Sequence, residues 1–159
     1  MTRDARITLT VNGEEISAVV AVRTNLVDFL RHDVGLTGSH VGCEHGVCGA
    51  CTLELNGKAV RGCLTLAVQA DGGTVTTVEG LADSGRSDAL RAAFTRRNAL
   101  QCGFCTPGML ASALSYIERG GSDDRQAIRD HISGNYCRCT GYQSVVDAIS
   151  DVIREGDGA

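Results

Sequence analysis

The chain has 159 residues, 43% of them hydrophobic, and a formal net charge of −4 at pH 7. This slightly acidic balance gives no indication of the basic patches that bind nucleic acid or anionic membranes. No apolar run approaches the roughly 20 residues that a transmembrane helix needs, and no secretory signal precedes the first predicted strand. The length allows one domain or two small ones. Two small domains would each have a marginal core, so bound metal is expected to help them fold.

The first half of the chain has the pattern of a small α+β unit. Two segments of apolar alternation flank Asn12-Gly13, and two more flank Asn56-Gly57; both dipeptides are typical of type I′ hairpin turns. A short helix is expected between the hairpins, N-capped by Thr24 or Asn25. The predicted elements are strands at 7–11 and 16–22, a helix up to Gly35, strands at 52–55 and 58–61, a helical or irregular stretch at 64–70 and a last strand at 74–78.

Residues 42–52, between the helix and the second hairpin, read Gly-Cys-Glu-His-Gly-Val-Cys-Gly-Ala-Cys-Thr. Their cysteines stand in C-x4-C-x2-C spacing, and a fourth cysteine follows eleven residues later. This is the spacing of a plant-type 2Fe–2S loop, in which interleaved glycines allow backbone N–H groups to point at sulfur. The predicted iron ligands of this first site are Cys43, Cys48, Cys51 and Cys63.

Two other metal sites fit this loop less well. A four-cysteine zinc site usually has two C-x2–4-C pairs, and Cys63 stands alone. A Rieske centre could begin with Cys43 and His45, but it needs a second histidine where Cys51 stands. We therefore interpret His45 and His40 as ordinary loop residues.

The second half of the chain changes to helical periodicity. The polar, glycine-containing segment 80–87 is interpreted as a linker between a domain at 1–79 and an all-helical domain at 88–159. Thr106 is the predicted N-cap of the second helix, with Pro107, the only proline, in its first turn. Four helices joined by short loops are typical of an antiparallel bundle. The predicted helices cover residues 88–98, 107–119, 123–132 and 144–154.

Four more cysteines lie in two loops of this helical half. Cys102 and Cys105 form a C-x2-C motif, and Cys137 and Cys139 form a C-x-C motif about two helices later. A helix pair that runs out and back returns the chain to the same end, so all four thiols are expected at one metal centre. From spacing alone, a second 2Fe–2S cluster and structural zinc both remain open. A thioredoxin-type pair would leave the C-x-C motif unused, and a disulfide is disfavoured in a reducing cytosol.

With both motifs in view, the chain resembles the small iron–sulfur subunit of the molybdenum hydroxylases, the xanthine oxidase family. The resemblance rests on residues 42–52 together with Gln-Cys-Gly-Phe-Cys-Thr-Pro-Gly at 101–108 and Asn-Tyr-Cys-Arg-Cys-Thr-Gly-Tyr at 135–142. It covers nearly the whole chain. It implies an α+β protein in which a β-grasp ferredoxin-like domain is followed by a four-helix bundle domain, each with one 2Fe–2S cluster.

The resemblance also implies partners and further site residues. A large subunit would carry a molybdopterin cofactor beside the C-terminal cluster, and a medium subunit would carry FAD near the N-terminal one. Cys139 would hydrogen-bond the pterin as well as bind iron, and Gln101 would approach the pterin. The assembly implied is a dimer of heterotrimers.

The residues themselves show no nucleotide-binding motif and no paired-carboxylate or Ser/His/Asp constellation. We therefore expect electron transfer within a cytoplasmic assembly whose substrate chemistry lies on another subunit. Two other hypotheses remain: a free ferredoxin-like carrier with a zinc-bound helical domain, and a zinc-dependent interaction module.

Overall fold

The computed structural model describes residues 3–157, which form an α+β protein with a five-stranded mixed sheet and six α-helices. Met1, Thr2, Gly158 and Ala159 fall within the predicted domains but lie outside the described residues. Within the described range, no helix has both the length and the apolar character needed to span a membrane. The elements are β1 (Asp4–Val11), β2 (Glu14–Ala21), α1 (Leu26–His32), β3 (Thr52–Leu55), β4 (Lys58–Arg61), a 3₁₀ turn (Ala67–Ala70), β5 (Thr74–Thr76), α2 (Val78–Asp83), α3 (Asp88–Arg96), α4 (Thr106–Glu118), α5 (Arg125–Ile132) and α6 (Gln143–Asp157).

Both predicted hairpin turns are confirmed. Asn12 and Gly13 have φ values of 50° and 89°, and Asn56 and Gly57 have φ values of 51° and 72°. Positive φ at both central residues defines a type I′ turn, which matches the twist of the flanking strands. The turns fix the registers of the β1–β2 and β3–β4 pairs.

The sheet order is β2-β1-β5-β3-β4, and β5 runs parallel to β1 and antiparallel to β3. Helix α1 packs against this sheet, and its N-cap is Asn25, whose side chain accepts the N–H of Asp28 at 2.8 Å. The apolar positions of the strands, α1 and the 3₁₀ turn form the first core. This core contains Ile7, Leu9, Val11, Val20, Leu26, Phe29, Leu30, Leu53, Ala67, Ala70 and Val75.

Helix α2 lies where the sequence analysis placed the end of a strand and the start of the linker. Its residue Leu81 is fully buried in the core of the helical half, so tertiary packing determines this short helix. Position 80 requires glycine for a steric reason and not for backbone flexibility. A Cβ there would overlap the side chain of Asn12, which accepts the N–H of Thr77 at 2.9 Å.

The four longer predicted helices are present as α3 to α6, and their apolar faces form a second core. The predicted N-cap of α4 is wrong. Cys105 takes the cap position with a helical backbone, and Thr106 is the first helical residue. Two arginines at the C-terminal end of α3, the second directly after its last residue, are about half exposed, and each pairs with a carboxylate of α6. Arg96 contacts Glu155 at 2.7 Å and Arg97 contacts Asp151 at 2.6 Å.

The two halves meet where α4 packs against β3 and β4. At the start of α4, Gly108 touches the backbone at Gly49 so closely that a Cβ on Gly108 would overlap the Gly49 carbonyl oxygen. Arg86, between α2 and α3, contacts Glu54 of β3 at 2.9 Å and Glu118 of α4 at 2.7 Å. The side chain of Glu54 is only 5% exposed, so Arg86 supplies the positive charge that this buried carboxylate needs.

We expect Gly108→Ala to lower the free energy of unfolding by about 3 kcal/mol, because the new methyl group forces two backbones apart. Urea unfolding followed by circular dichroism measures the effect. Gly156→Ala is the matched control: it lies in α6 with open space around the new methyl group, and it should stabilise by up to about 1 kcal/mol. Equal unfolding midpoints for both variants would contradict the close contact at Gly108.

We expect Arg86→Met to lower the free energy of unfolding by about 2 kcal/mol, because it leaves the Glu54 carboxylate buried without its partner. This magnitude is below that of a fully buried pair because the Arg86 side chain is 37% exposed. Arg91→Met is the control. Arg91 makes an exposed pair with Asp88 at 3.4 Å, and its loss should change stability by less than about 0.5 kcal/mol. If the two variants lose equal free energy of unfolding, Arg86 does not hold the two halves together.

Candidate metal centres

The first thiol set lies at one end of the β3–β4 hairpin. Cys51 directly precedes β3, and Cys63 follows β4 after one glycine. Because the register pairs Thr52 with Arg61 and the N–H of Gly62 bonds to the carbonyl of Cys51 at 3.1 Å, the hairpin brings the two thiols side by side.

The loop that carries the other two thiols winds through left-handed backbone. Gly46 has a φ of 84°, and the loop turns back so that the N–H of Cys48 donates to Cys43 Sγ at 3.3 Å. Backbone N–H groups, first that of Cys48 and then that of His45, lower the pKa of the Cys43 thiol to about 6. Burial instead raises the pKa of the Cys51 thiol to about 11. The loop therefore stabilises negative charge most strongly at Cys43.

The second thiol set lies where two inter-helix loops meet. Cys102 and Cys105 precede α4, while Cys137 and Cys139 lie between α5 and α6. The Sγ atoms of Cys102 and Cys139 are 3.6 Å apart. The Cys105 thiol lies next to that of Cys137. Burial raises the pKa of the Cys105 thiol to about 12, and the neighbouring Cys137 thiol adds to this effect.

In both sets the thiols are arranged as two pairs. Side-chain contacts join Cys43 to Cys48 and Cys51 to Cys63, and the second set pairs in the same way. Two thiolates on one tetrahedral centre with metal–sulfur bonds of about 2.3 Å lie about 3.8 Å apart, close to the separation of Cys102 and Cys139. A cluster with two irons, each held by two thiolates, fits these pairs better than one zinc ion does.

The pairing also argues against a disulfide or a thioredoxin-type pair at the second set. All eight cysteines are free thiols, so Cys137 and Cys139 form no disulfide. Cys102 and Cys105 each pair with the C-x-C motif instead of with one another. A thioredoxin-type pair does not describe this arrangement.

Three groups close around Cys137. The hydroxyl and the N–H of Thr140 donate to Cys137 Sγ at 3.2 and 3.4 Å, and the N–H of Cys137 donates to the hydroxyl of Tyr142 at 2.8 Å. Burial acts to raise the pKa of the Cys137 thiol, but the hydrogen bonds from Thr140 outweigh it and the pKa is lowered overall.

Gln101 and Cys139 lie together at the exposed side of this set. The side-chain amide of Gln101 donates to the carbonyl of Cys139 at 3.1 Å, and both residues are exposed, as is Cys102. Phe104 and Tyr136, next to the thiols, are 49% and 55% exposed. One pair of thiols therefore faces the surface, within a rim of aromatic side chains.

The two thiol sets are joined through backbone. The N–H of Tyr136 donates to the carbonyl of Cys48 at 2.8 Å, which connects the residue before Cys137 to the backbone of a cysteine of the first set. Asn135, 2% exposed, donates to the carbonyl of Gly49 at 3.1 Å. Arg61 of β4 reaches across the same junction to the carbonyl of Gly134 at 2.8 Å.

Each of the two loop histidines contacts a backbone carbonyl. His45 Nδ1 contacts the carbonyl of Cys43, and His40 Nδ1 contacts the carbonyl of Phe104 at 2.8 Å with the two rings stacked 4.9 Å apart. His40 thus adds a further contact between the loops that carry the thiols.

The sequence analysis did not single out Thr140, Asn135 or Arg61. Thr140 carries a local signal, because a Thr three residues after a Cys can turn both of its donors onto the preceding sulfur. Asn135 and Arg61 carry no such signal, because their partners lie in the other half of the chain.

Comparison with known proteins agrees with this division into two thiol sets. A family model described as a 2Fe–2S iron–sulfur cluster binding domain matches residues 9–82, and one described as a 2Fe–2S binding domain matches residues 77–150. The chain therefore has two 2Fe–2S domains, and both models include residues 77–82, which contain most of α2.

Individual relatives match over nearly their whole length. The gamma subunit of caffeine dehydrogenase from Pseudomonas sp. strain CBB1 is 54% identical over 92% of this chain and 89% of its own. The small subunit of nicotine 6-hydroxylase from Paenarthrobacter nicotinovorans is 52% identical over 89% of this chain and 85% of its own. The crystal structure of quinoline 2-oxidoreductase from Pseudomonas putida 86 contains a chain that is 48% identical, with a TM-score of 0.90 over 98% of this chain and 96% of that one. The chain thus belongs to the small 2Fe–2S iron–sulfur subunits of the molybdenum hydroxylases, and it is the iron–sulfur component of a molybdenum-dependent oxidoreductase.

Proposed function

We propose that this chain conducts electrons from a molybdopterin centre on a large subunit to the FAD of a medium subunit through two 2Fe–2S clusters. The observation that carries the proposal is the backbone hydrogen bond from Tyr136 to Cys48, which connects two sets of paired thiols inside one small protein. When bound, each cluster accepts and releases one electron. The protein's own residues hold the clusters in place and fix the path between them.

The proposed ligands follow the observed pairs. The N-terminal cluster is bound by Cys43, Cys48, Cys51 and Cys63, and the C-terminal cluster is bound by Cys102, Cys105, Cys137 and Cys139. The inner, half-buried pair of the C-terminal set, Cys105 and Cys137, adjoins the first site through Tyr136, and the exposed pair faces outward. Electrons are thus expected to enter at the exposed pair and leave toward the N-terminal cluster.

Gln101 and Cys139 are the proposed contacts to the pterin of the large subunit. Their support is position: both are exposed, and the hydrogen bond between them holds the Gln101 amide beside the outer thiols. The exposed side chains of Phe104 and Tyr136 offer apolar surface for the same partner.

Exposed apolar side chains also lie near the first site. Val47, in the loop between Cys43 and Cys48, is 44% exposed, and Leu64, next to Cys63, is 61% exposed. We propose this surface for the FAD-bearing medium subunit. The whole assembly is proposed to be a cytoplasmic dimer of heterotrimers, a location supported by eight free thiols.

The domain assignment belongs to the same proposal. We assign residues 1–79 to a β-grasp ferredoxin-like domain, 80–87 to the connection and 88–159 to a four-helix bundle. The separate apolar cores of the two halves support it, although α2 begins before the connection and contributes Leu81 to the helical core.

Metal analysis and electron paramagnetic resonance (EPR) of the dithionite-reduced full chain test the proposal. We expect about four iron and four sulfide per chain and two distinguishable S = 1/2 signals, because each reduced 2Fe–2S cluster is paramagnetic. One signal together with one zinc would overturn the proposal and leave a ferredoxin-like carrier with a structural zinc domain. Tightly bound zinc without either signal would indicate an interaction module.

Gln101→Ala should leave both EPR signals intact and weaken binding of the molybdopterin subunit about tenfold, the effect of losing roughly one hydrogen bond. Affinity is measured by titrating the isolated partner subunit. Gln126→Ala is the control, since Gln126 is a glutamine at the start of α5 whose amide also makes one hydrogen bond, to Asp130 at 2.8 Å. Loss of the C-terminal cluster's signal in Gln101→Ala would show that Gln101 supports the loop instead of the partner.

A further inference from the structure

Thr140 directs both of its donors onto one sulfur of the second thiol set. Its hydroxyl lies 3.2 Å and its backbone nitrogen 3.4 Å from Cys137 Sγ. The same hydroxyl oxygen accepts the N–H of Tyr142 at 3.2 Å. Because a thiolate has no proton to donate, the hydroxyl is the donor to the sulfur, while its oxygen accepts the N–H of Tyr142.

A second hydrogen bond, between Tyr142 and Cys137, closes the turn that contains Thr140. Tyr142 accepts the N–H of Cys137 through its phenol oxygen at 2.8 Å, and Gly141 and Tyr142 both have positive φ, at 66° and 68°. Rotating the Thr140 side chain so that its oxygen leaves Cys137 would also give up the bond from the Tyr142 N–H. The hydroxyl is therefore preorganised toward the sulfur.

Cys137 is distinguished from the other thiols of its set. Among the described residues, it is the one sulfur of the C-terminal set that accepts a hydrogen bond from a side-chain hydroxyl. It also belongs to the inner pair with Cys105, and the next residue toward the N-terminus, Tyr136, bonds to Cys48 of the first set. The extra donor thus acts on the side of the site that leads to the other cluster.

We propose that Thr140 raises the reduction potential of the C-terminal cluster by donating its hydroxyl proton to the Cys137 thiolate. The proposal rests on the proposed function. On reduction the cluster takes one electron from the molybdenum centre of the large subunit, and its charge changes from about −2 to about −3, with no bond broken and no proton transferred. A hydrogen bond to a thiolate ligand stabilises the more negative state, so the reduced form gains more from Thr140 than the oxidised form does.

The location of Cys137 gives this effect a direction. Cys137 and Cys105 would together hold the side of the cluster that faces the Tyr136–Cys48 hydrogen bond. A hydroxyl donor at Cys137 would therefore favour added negative charge on the side that leads to the N-terminal cluster. Thr140 is a positioning residue, because it acts on the cluster through the Cys137 thiolate.

The test is an EPR-monitored redox titration of the full chain with both clusters, comparing Thr140→Val with Thr140→Ser. Thr140→Val keeps the shape and the backbone donor but removes the hydroxyl, whereas Thr140→Ser keeps the hydroxyl. Cys43→Ser and Cys102→Ser, each of which perturbs one cluster, assign the two signals beforehand. We expect Thr140→Val to shift the reduced-to-oxidised ratio of the C-terminal cluster about tenfold toward oxidised at a fixed potential, equal to about 59 mV for one electron. The N-terminal cluster should be unchanged in both variants, and Thr140→Ser should titrate like the parent.

Three results would overturn the proposal. In the first, Thr140→Val titrates like the parent at both clusters while its unfolding midpoint falls, which would mean that the hydroxyl only supports the turn. In the second, Thr140→Val and Thr140→Ser shift equally, which would exclude the hydroxyl as the cause. In the third, both clusters shift together, which would show a global change. If the valine variant fails to assemble, Thr140→Ala, the smaller variant without a hydroxyl, replaces it.

Metal analysis of the parent protein distinguishes failure of this proposal from failure of the proposed function. Zinc in the second site of the parent protein would refute the proposed function itself.

Discussion

The structure depends on the carbonyl oxygen of Gly49, where the two halves of the chain meet. This oxygen accepts the Asn135 side-chain amide at 3.1 Å and the Thr52 hydroxyl at 2.6 Å, and it leaves no room for a Cβ on Gly108. Gly49 follows Cys48 in the first cysteine loop, Asn135 lies two residues before Cys137, and Gly108 lies in the first turn of α4. One backbone atom therefore fixes the first loop relative to both loops of the second set. Since close backbone contacts resist deformation more than side-chain contacts do, the distance between the two thiol sets is well defined.

The rigid contact between the halves explains why two small apolar cores are sufficient for a stable fold. Each half has a modest apolar core, and the contact between them adds polar groups that must all be satisfied. Asn135 accepts the Ser112 hydroxyl at 2.8 Å, and Arg61 contacts both the Thr52 hydroxyl and the Gly134 carbonyl. Such a network is satisfied in only one relative position of the two halves, because any displacement of one half leaves buried donors without partners. The junction thus contributes specificity in addition to stability.

Features that depend on local sequence were predictable. Asn-Gly turns, helix periodicity and cysteine spacing indicated the hairpins, the longer helices and the members of each thiol set, since each is decided within a few residues. Helix α2 was missed because Leu81 is buried against helices far along the chain, and Gly80 was taken for a linker residue although Asn12 requires it. Spacing also could not separate iron from zinc. Spacing fixes which thiols are within reach of one another, whereas their division into pairs depends on the hairpin register and on the packing of α4.

The pairing of thiols gives the two sites different electrostatic environments, and the difference bears on electron flow. At the first set, backbone N–H groups stabilise negative charge at Cys43. At the second set, Thr140 adds a hydroxyl donor at Cys137, on the inner pair. The outer thiols Cys102 and Cys139 lie at the exposed rim, where Gln101 holds the backbone of Cys139. In the proposed path, charge that enters at the outer thiols is favoured to move inward to Cys137, from which one backbone hydrogen bond leads to the first set. The loops proposed to hold the clusters would thus also give the electron path its direction.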